Sequence, residues 1–117
     1  MTIQRIKAGP RMSGAVVHGD TVYLAGQVAQ ASAGQSVAEQ TREILSIVDG
    51  LLAEAGTDKS KLLMANIWLT DMATFQEMNG VWDAWVAPGH APARATVEAK
   101  LAAPAFRVEI AVIAAKE

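Results

Sequence analysis

An alternation of small apolar and polar residues near the end of the chain constrains its fold more than any other feature. From Ala93 to Ala99, small apolar residues alternate with Arg94, Thr96 and Glu98. This is the period of a β-strand with one polar face. The run from Phe106 to Ile113 alternates in the same way. The last quarter of the sequence therefore predicts two strands.

The four residues between these runs, Leu101 to Pro104, predict a hairpin that pairs the two strands. In such a hairpin Thr96 would lie opposite Glu109. Arg94 would be a diagonal neighbour of Glu109, within reach of a long side chain. A cation, a hydroxyl and a carboxylate would then share one patch, which suits a small anionic substrate and proton chemistry.

Composition limits the classes of function. The 117 residues, 51% of them hydrophobic, suffice for one domain with one core. The formal net charge of -2 predicts no attraction to nucleic acid or to a membrane. The absence of cysteine excludes disulfides, thiolate metal sites and cysteine nucleophiles. No signal peptide or long apolar run is visible, so a soluble cytoplasmic protein is expected.

Local signals predict the first hairpin and the first helix. Two β-rich runs, residues 15–18 and 21–25, flank the turn signal Gly19-Asp20. A capping box that begins at Ser36 predicts the start of an amphipathic helix, and Gly56 predicts its end.

The rest of the chain completes an α+β domain. Residues 62–70 predict a strand that is apolar on both faces, and a second capping box, Thr74 to Glu77, predicts a shorter helix. The order β-β-α-β-α-β-β over residues 1–117 predicts a single domain with two helices on one face of a sheet. Because nothing in the chain covers the opposite face, an oligomer is expected.

Several of these motifs resemble those of the Rid (YjgF) family of small trimeric proteins, over nearly the whole chain. The matching segments are Pro92–Glu98, Val108–Ala111, Gly9-Pro10, Tyr23–Gln27, and Phe75 with Met78-Asn79. The resemblance implies a chorismate-mutase-like fold and a homotrimer with clefts between subunits. It also implies an enamine/imine deaminase that converts 2-aminoacrylate-type or other 2-imino acids to 2-keto acids and ammonia. No metal or organic cofactor is implied.

The resemblance further implies roles for single residues. Arg94 matches the arginine that holds the substrate carboxylate, and Glu109 matches the glutamate that positions or activates the attacking water. Asn79 matches an asparagine near the cleft. Two positions depart from the pattern, because Thr96 stands in place of a cysteine and Arg11 in place of an aromatic tyrosine. These departures leave the substrate open more than the reaction type.

Each of the polar strand residues also has an ordinary structural interpretation. Arg94 could be a surface arginine paired with an acid, and Glu109 a cross-strand or interface partner. Thr96 either holds a water or the substrate, or is an ordinary β-branched strand residue.

The same holds for the remaining candidates. Arg11 either adds a second positive charge to the cleft or binds a neighbouring chain. Asn79 could be a plain helix-surface amide. Gly26 either permits a close backbone approach that leaves amides free for a ligand, or simply ends a strand.

Two functions therefore stay open. The first is the deaminase, acting on a small imino acid. The second is a non-catalytic protein that binds small carboxylates in the same cleft. A nuclease or chaperone activity has been attached to members of the family, but the acidic balance of this chain disfavours nucleic acid.

Overall fold

The computed structural model describes all residues from 1 to 117 and shows one six-stranded sheet covered by two α-helices. The strands are β1 (Ile3–Ile6), β2 (Ala15–His18), β3 (Thr21–Leu24), β4 (Leu62–Leu69), β5 (Ala93–Glu98) and β6 (Val108–Ala115); the helices are α1 (Val37–Ala55) and α2 (Phe75–Trp85). Short 3-10 turns at Lys59–Lys61 and Met72–Thr74 precede β4 and α2. The spatial order of the strands is β1-β2-β3-β6-β4-β5.

The first hairpin and the first helix are confirmed. His18 pairs with Thr21 across the Gly19-Asp20 turn. The Ser36 hydroxyl accepts a hydrogen bond from the Glu39 N–H, which caps the start of α1. Gly56 adopts the left-handed conformation at φ 88° and ends the helix. The capping box is only half formed, because the Glu39 carboxylate pairs with Arg42 instead of reaching back.

The prediction of a second capping box at Thr74 is wrong. The Thr74 hydroxyl donates to the Asp71 carbonyl and makes no hydrogen bond to an amide of α2. Asp71 instead caps the 3-10 turn by accepting from the Ala73 N–H. The Glu77 carboxylate accepts from the Ala38 N–H at 2.8 Å. The glutamate of the predicted box therefore caps the other helix.

The predicted hairpin of β5 and β6 is also wrong, because β4 lies between the two strands. It pairs with β5 in parallel and with β6 in antiparallel orientation. The apolar character of β4 on both faces suits a central strand, whose N–H and C=O groups are bonded on both edges. Strand β1 was not predicted; of its four residues only Ile6 is buried, so its sequence carries little periodic signal.

Both helices pack on one face of the sheet, as predicted. One cluster of 23 buried apolar residues joins α1 and α2 to the inward side chains of the strands. The opposite face is uncovered in the single chain; Tyr23 and Val97 on it are 47% and 48% exposed. None of the helices is both long enough and apolar enough to cross a membrane.

Two glycines of α1 provide a matched test of how the helix ends. A Cβ at Gly50, inside the helix, meets nothing within 4 Å, so we expect Gly50→Ala to raise the free energy of unfolding by about 0.5–1 kcal/mol. An alanine at position 56 would have to adopt the left-handed conformation, and its Cβ would lie 3.1 Å from Lys116 Cε. Gly56→Ala should therefore lower the free energy of unfolding by about 1–2 kcal/mol. Urea unfolding measures both. Equal stabilisation by the two substitutions would contradict the left-handed helix end.

Candidate functional site

Arg94 is held in place but has no counter-ion. It lies on the helix-facing side of β5, level with the fully buried Ala65. Its Nη2 donates to Asn79 Oδ1 at 2.8 Å, and its guanidinium carbon lies 5.8 Å from the Phe75 ring centroid and 5.4 Å from that of Trp82. An amide oxygen and two aromatic rings stabilise the cation without neutralising it.

No acid pairs with Arg94, although the ordinary interpretation required one. The only ion pair in the chain joins Arg42 to Glu39 on the surface of α1. The Glu98 carboxylate accepts from the Met72 N–H at 2.9 Å instead. The guanidinium of Arg94 is therefore available to an anion from outside the chain.

The backbone of β5 adds a donor beside this cation. The Ala99 N–H donates to the Leu69 carbonyl, and the parallel register with β4 is continuous from Ala93 to Glu98. In a parallel pair, N–H and C=O groups of alternate residues point to the same side. Those of Arg94 and Thr96 consequently point away from β4, toward the free edge of the sheet.

The Thr96 side chain differs from its backbone in accessibility. Its hydroxyl lies on the helix-facing side, in register with Ile67, and is buried without a hydrogen-bond partner. In the single chain the hydroxyl is therefore shielded from solvent. The N–H of Thr96 is the group of this residue that faces the open edge.

Glu109 and Gly26 are in close contact with each other. Glu109 is level with Trp68 on the uncovered face of the sheet and makes no hydrogen bond or ion pair. Gly26 follows β3, and a Cβ at this position would overlap Glu109 Oε2. The Glu109 carboxylate therefore occupies the space beside Gly26, and any larger residue at this position would displace it.

The predicted single patch does not form within one chain. Arg94 and Thr96 point to the helix-facing side, whereas Glu109 points to the uncovered side. The intervening β4 also separates the backbones of β5 and β6 by two strand spacings, about 10 Å. The structure therefore divides the candidate residues into two groups, which we call half-sites: one contains Arg94, Asn79 and Thr96, and the other contains Gly26 and Glu109.

Arg11 lies at the end of the sheet that carries the second half-site. It is exposed in the loop between β1 and β2, where the Gly9 N–H donates to the Met12 carbonyl at 2.8 Å. The loop rejoins the sheet at Gly14, whose carbonyl accepts from the Ala25 N–H at 2.9 Å, next to Gly26. The Arg11 side chain makes no hydrogen bond or ion pair within the chain.

Sequence reasoning missed the residues that support the two half-sites. Phe75 enters the sequence analysis only as part of the family resemblance and Trp82 not at all, yet their rings flank the Arg94 guanidinium. Gln40 and Glu43 of α1 hold the loops around Gly26 by hydrogen bonds. The sequence carries a signal for Gln40, because this polar residue interrupts the apolar face of α1. In the structure Gln40 is fully buried.

These features define a small α+β protein with an open, uncovered sheet face and an unpaired arginine at the sheet edge. The sequence model of the family described as Endoribonuclease L-PSP matches residues 2–116. A RutC family protein of Haemophilus influenzae is 47% identical over 114 residues, which cover 97% of this chain and 98% of that protein. The RutC family protein YoaB of Escherichia coli is 44% identical over 115 residues, covering 98% and 99%.

Solved structures agree with the sequence matches. The crystal structure of a YjgF family member from Neisseria meningitidis superposes with a TM-score of 0.96 at 49% identity, covering 100% of this chain and 97% of that one. The chain therefore belongs to the YjgF/Rid family.

The buried, unpaired hydroxyl of Thr96 generates a stability prediction. Because an unsatisfied buried hydroxyl is costly, Thr96→Val should raise the free energy of unfolding by about 1 kcal/mol. Thr57→Val is the control, since the Thr57 hydroxyl donates to the Ala115 carbonyl at 2.6 Å and its loss should be destabilising. Urea unfolding of both variants tests this. Destabilisation by Thr96→Val would mean that the hydroxyl has a partner.

Proposed function

We propose that this chain is a cofactor-independent deaminase that hydrolyses small 2-imino acids, including 2-aminoacrylate-type intermediates, to 2-keto acids and ammonia. The observation that carries the proposal is the half-buried Arg94 guanidinium, which is fixed by Asn79 and two rings but has no counter-ion. Membership of a family that includes imine deaminases supports the same reaction.

The substrate carboxylate would bind at the edge of β5. A guanidinium offers paired donors in one plane, which match the two oxygens of a carboxylate. The outward N–H of Thr96 would supply a further donor to the same group. Because Phe75, Asn79 and Trp82 hold Arg94 before the substrate arrives, little side-chain ordering is needed on binding.

The second half of the site would come from a neighbouring subunit of a homotrimer. Arg94 and Glu109 point to opposite faces of one sheet, so a single chain does not bring them to one substrate. The uncovered face is rich in apolar side chains, and its burial would drive association. In the cleft between two copies, Arg94 of one subunit would face Gly26 and Glu109 of the other.

The chemistry follows from positioning. With the carboxylate held by Arg94, the imine carbon would face a water held by Glu109. The water oxygen adds to the carbon of the C=N bond while its proton passes by way of the carboxylate to nitrogen, which gives a carbinolamine. The hydroxyl proton of the carbinolamine then passes to nitrogen, the C–N bond breaks, ammonia leaves and the keto group forms. Orientation and proton transfer supply the acceleration, since imines also hydrolyse in water unaided.

Arg11 bears on the choice of substrate within this scheme. It is an unpaired cation at the sheet end that carries Gly26 and Glu109. A second positive charge there would favour an imino acid with a further acidic or polar group over a plain aliphatic one.

Removal of the carboxylate clamp tests the proposal. Arg94→Ala should lower kcat/KM about tenfold to a hundredfold, the equivalent of one charged hydrogen-bonded contact. The assay follows keto-acid formation when an amino-acid oxidase or a dehydratase releases the imine, with spontaneous hydrolysis subtracted. Arg42→Ala is the control, because it removes an exposed arginine paired only with Glu39. If the Arg94→Ala variant accelerates the reaction as much as the wild-type protein, Arg94 does not hold the substrate carboxylate.

The same geometry would also hold a carboxylate without turnover. Calorimetry that detects keto-acid binding, together with no acceleration for any of several imines, would favour a non-catalytic binding protein. The name of the family model suggests ribonuclease activity, but the net charge of -2 does not favour a phosphate backbone.

The contact between Gly26 and Glu109 generates a second activity prediction. Gly26→Ala should fold normally, because the flexible end of Glu109 can move away from the new methyl group. The displaced carboxylate should then lower the rate of imine hydrolysis about a hundredfold, as small misplacements in active sites do. Thermal unfolding and the coupled assay measure the two effects, with Gly50→Ala as the control. Full activity of the Gly26 variant would exclude Glu109 from the chemistry.

A further inference from the structure

The loop that follows the second half-site is attached to helix α1 through one carboxylate. The loop runs from Val28 to Gln35 and begins directly after Gly26 and Gln27. Glu43 accepts hydrogen bonds from the Ala31 N–H at 3.1 Å, the Ser32 N–H at 2.7 Å and the Ser32 hydroxyl at 2.6 Å. The Ser32 hydroxyl, with the two amides, lowers the pKa of Glu43, so that the carboxylate stays charged.

Gln40, one turn earlier on α1, holds the far end of the same loop. Its side-chain amide donates to the Gln35 carbonyl at 3.1 Å and to the Ala105 carbonyl at 3.0 Å, and it accepts from the Arg107 N–H at 2.9 Å. The Gly34 N–H also donates to the Ala105 carbonyl. The loop is thereby tied to the segment that leads into β6.

The loop Val28–Gln35 and the segment that leads into β6 both adjoin the second half-site. The Gln27 N–H donates to the Ile110 carbonyl at 2.8 Å, and the Ile110 N–H donates back to the Gln27 carbonyl at 3.2 Å. Gly26 and Glu109 are the neighbours of these two residues. Gly26 and Glu109 are therefore held next to each other by a short bridge, and the loop that α1 restrains begins directly after that bridge.

We propose that Glu43 is a positioning residue for the half-site of Gly26 and Glu109. It acts by ordering the loop Val28–Gln35 before the substrate arrives, and it does not touch the substrate. The inference rests on the proposed function. Without Glu43, substrate binding must also order the loop, so affinity falls while the bound complex reacts as before.

Glu43→Ala tests the proposal, with Glu39→Ala as a matched control. Both remove one glutamate from the same helix, but the Glu39 carboxylate pairs only with Arg42, and the variant keeps the Glu39 N–H that donates to Ser36. We expect Glu43→Ala to speed hydrogen exchange in residues 28–35. It should also raise KM about fivefold, while kcat stays within about twofold of the wild-type value. Glu43→Gln, which keeps one acceptor for Ser32, should give an intermediate KM. Glu39→Ala should change neither quantity.

Three outcomes would overturn the proposal. The first is unchanged hydrogen exchange in the loop of the Glu43→Ala variant, and the second is faster exchange with an unchanged KM. The third is a fall in kcat that matches a loss of stability in urea, which a merely structural role would produce. If the wild-type protein hydrolyses no imine, the proposed deaminase activity is wrong, independently of the role of Glu43. Calorimetric affinity for a 2-keto acid then replaces KM, and equal affinity of both proteins would overturn the role of Glu43.

Discussion

The double pairing of β4 is the constraint on which the rest of the structure depends. It is bonded to β5 on one edge and to β6 on the other, and Ala65, Ile67 and Leu69 are fully buried beneath the helices. Every lateral neighbour of these residues must point to the same face. Arg94 is therefore directed toward α2, and Glu109, aligned with Trp68, is directed away from it.

This constraint turns one expected site into two halves. A hairpin of adjacent strands would have placed the cation and the carboxylate side by side, where each would have neutralised the other. Separation by β4 leaves both without an ionic partner in the chain. An arginine that is immobilised yet uncompensated is suited to bind an external anion, and an uncovered apolar face beside it favours a second subunit. The proposed deaminase cleft follows from these two properties together.

Helix α1 connects the core with the proposed site. Its apolar stripe packs on the sheet, while Gln40 and Glu43 hold the two segments that flank Gly26 and Glu109. Its start is capped in part by Glu77 from α2, the helix that also contributes Asn79 and Trp82 to the surroundings of Arg94. The helices thus cover the core, and they also contact Arg94 and the loops that lead to Gly26 and Glu109.

The sequence by itself determined what depends on neighbouring residues. The turn at Gly19-Asp20, the ends of α1 at Ser36 and Gly56, and the doubly apolar β4 could be predicted, because turn chemistry, capping and periodicity act over a few residues. Arg94 and Glu109 could be selected as candidates by their residue types and by the family resemblance. Their geometry could not be predicted, since the segment after β5 fits a tight hairpin at Leu101–Pro104 as well as the longer crossing around another strand that residues 99–107 make. Only the tertiary structure decided that β4, distant in sequence, inserts between β5 and β6, because burying both of its faces and bonding both of its edges is a long-range requirement.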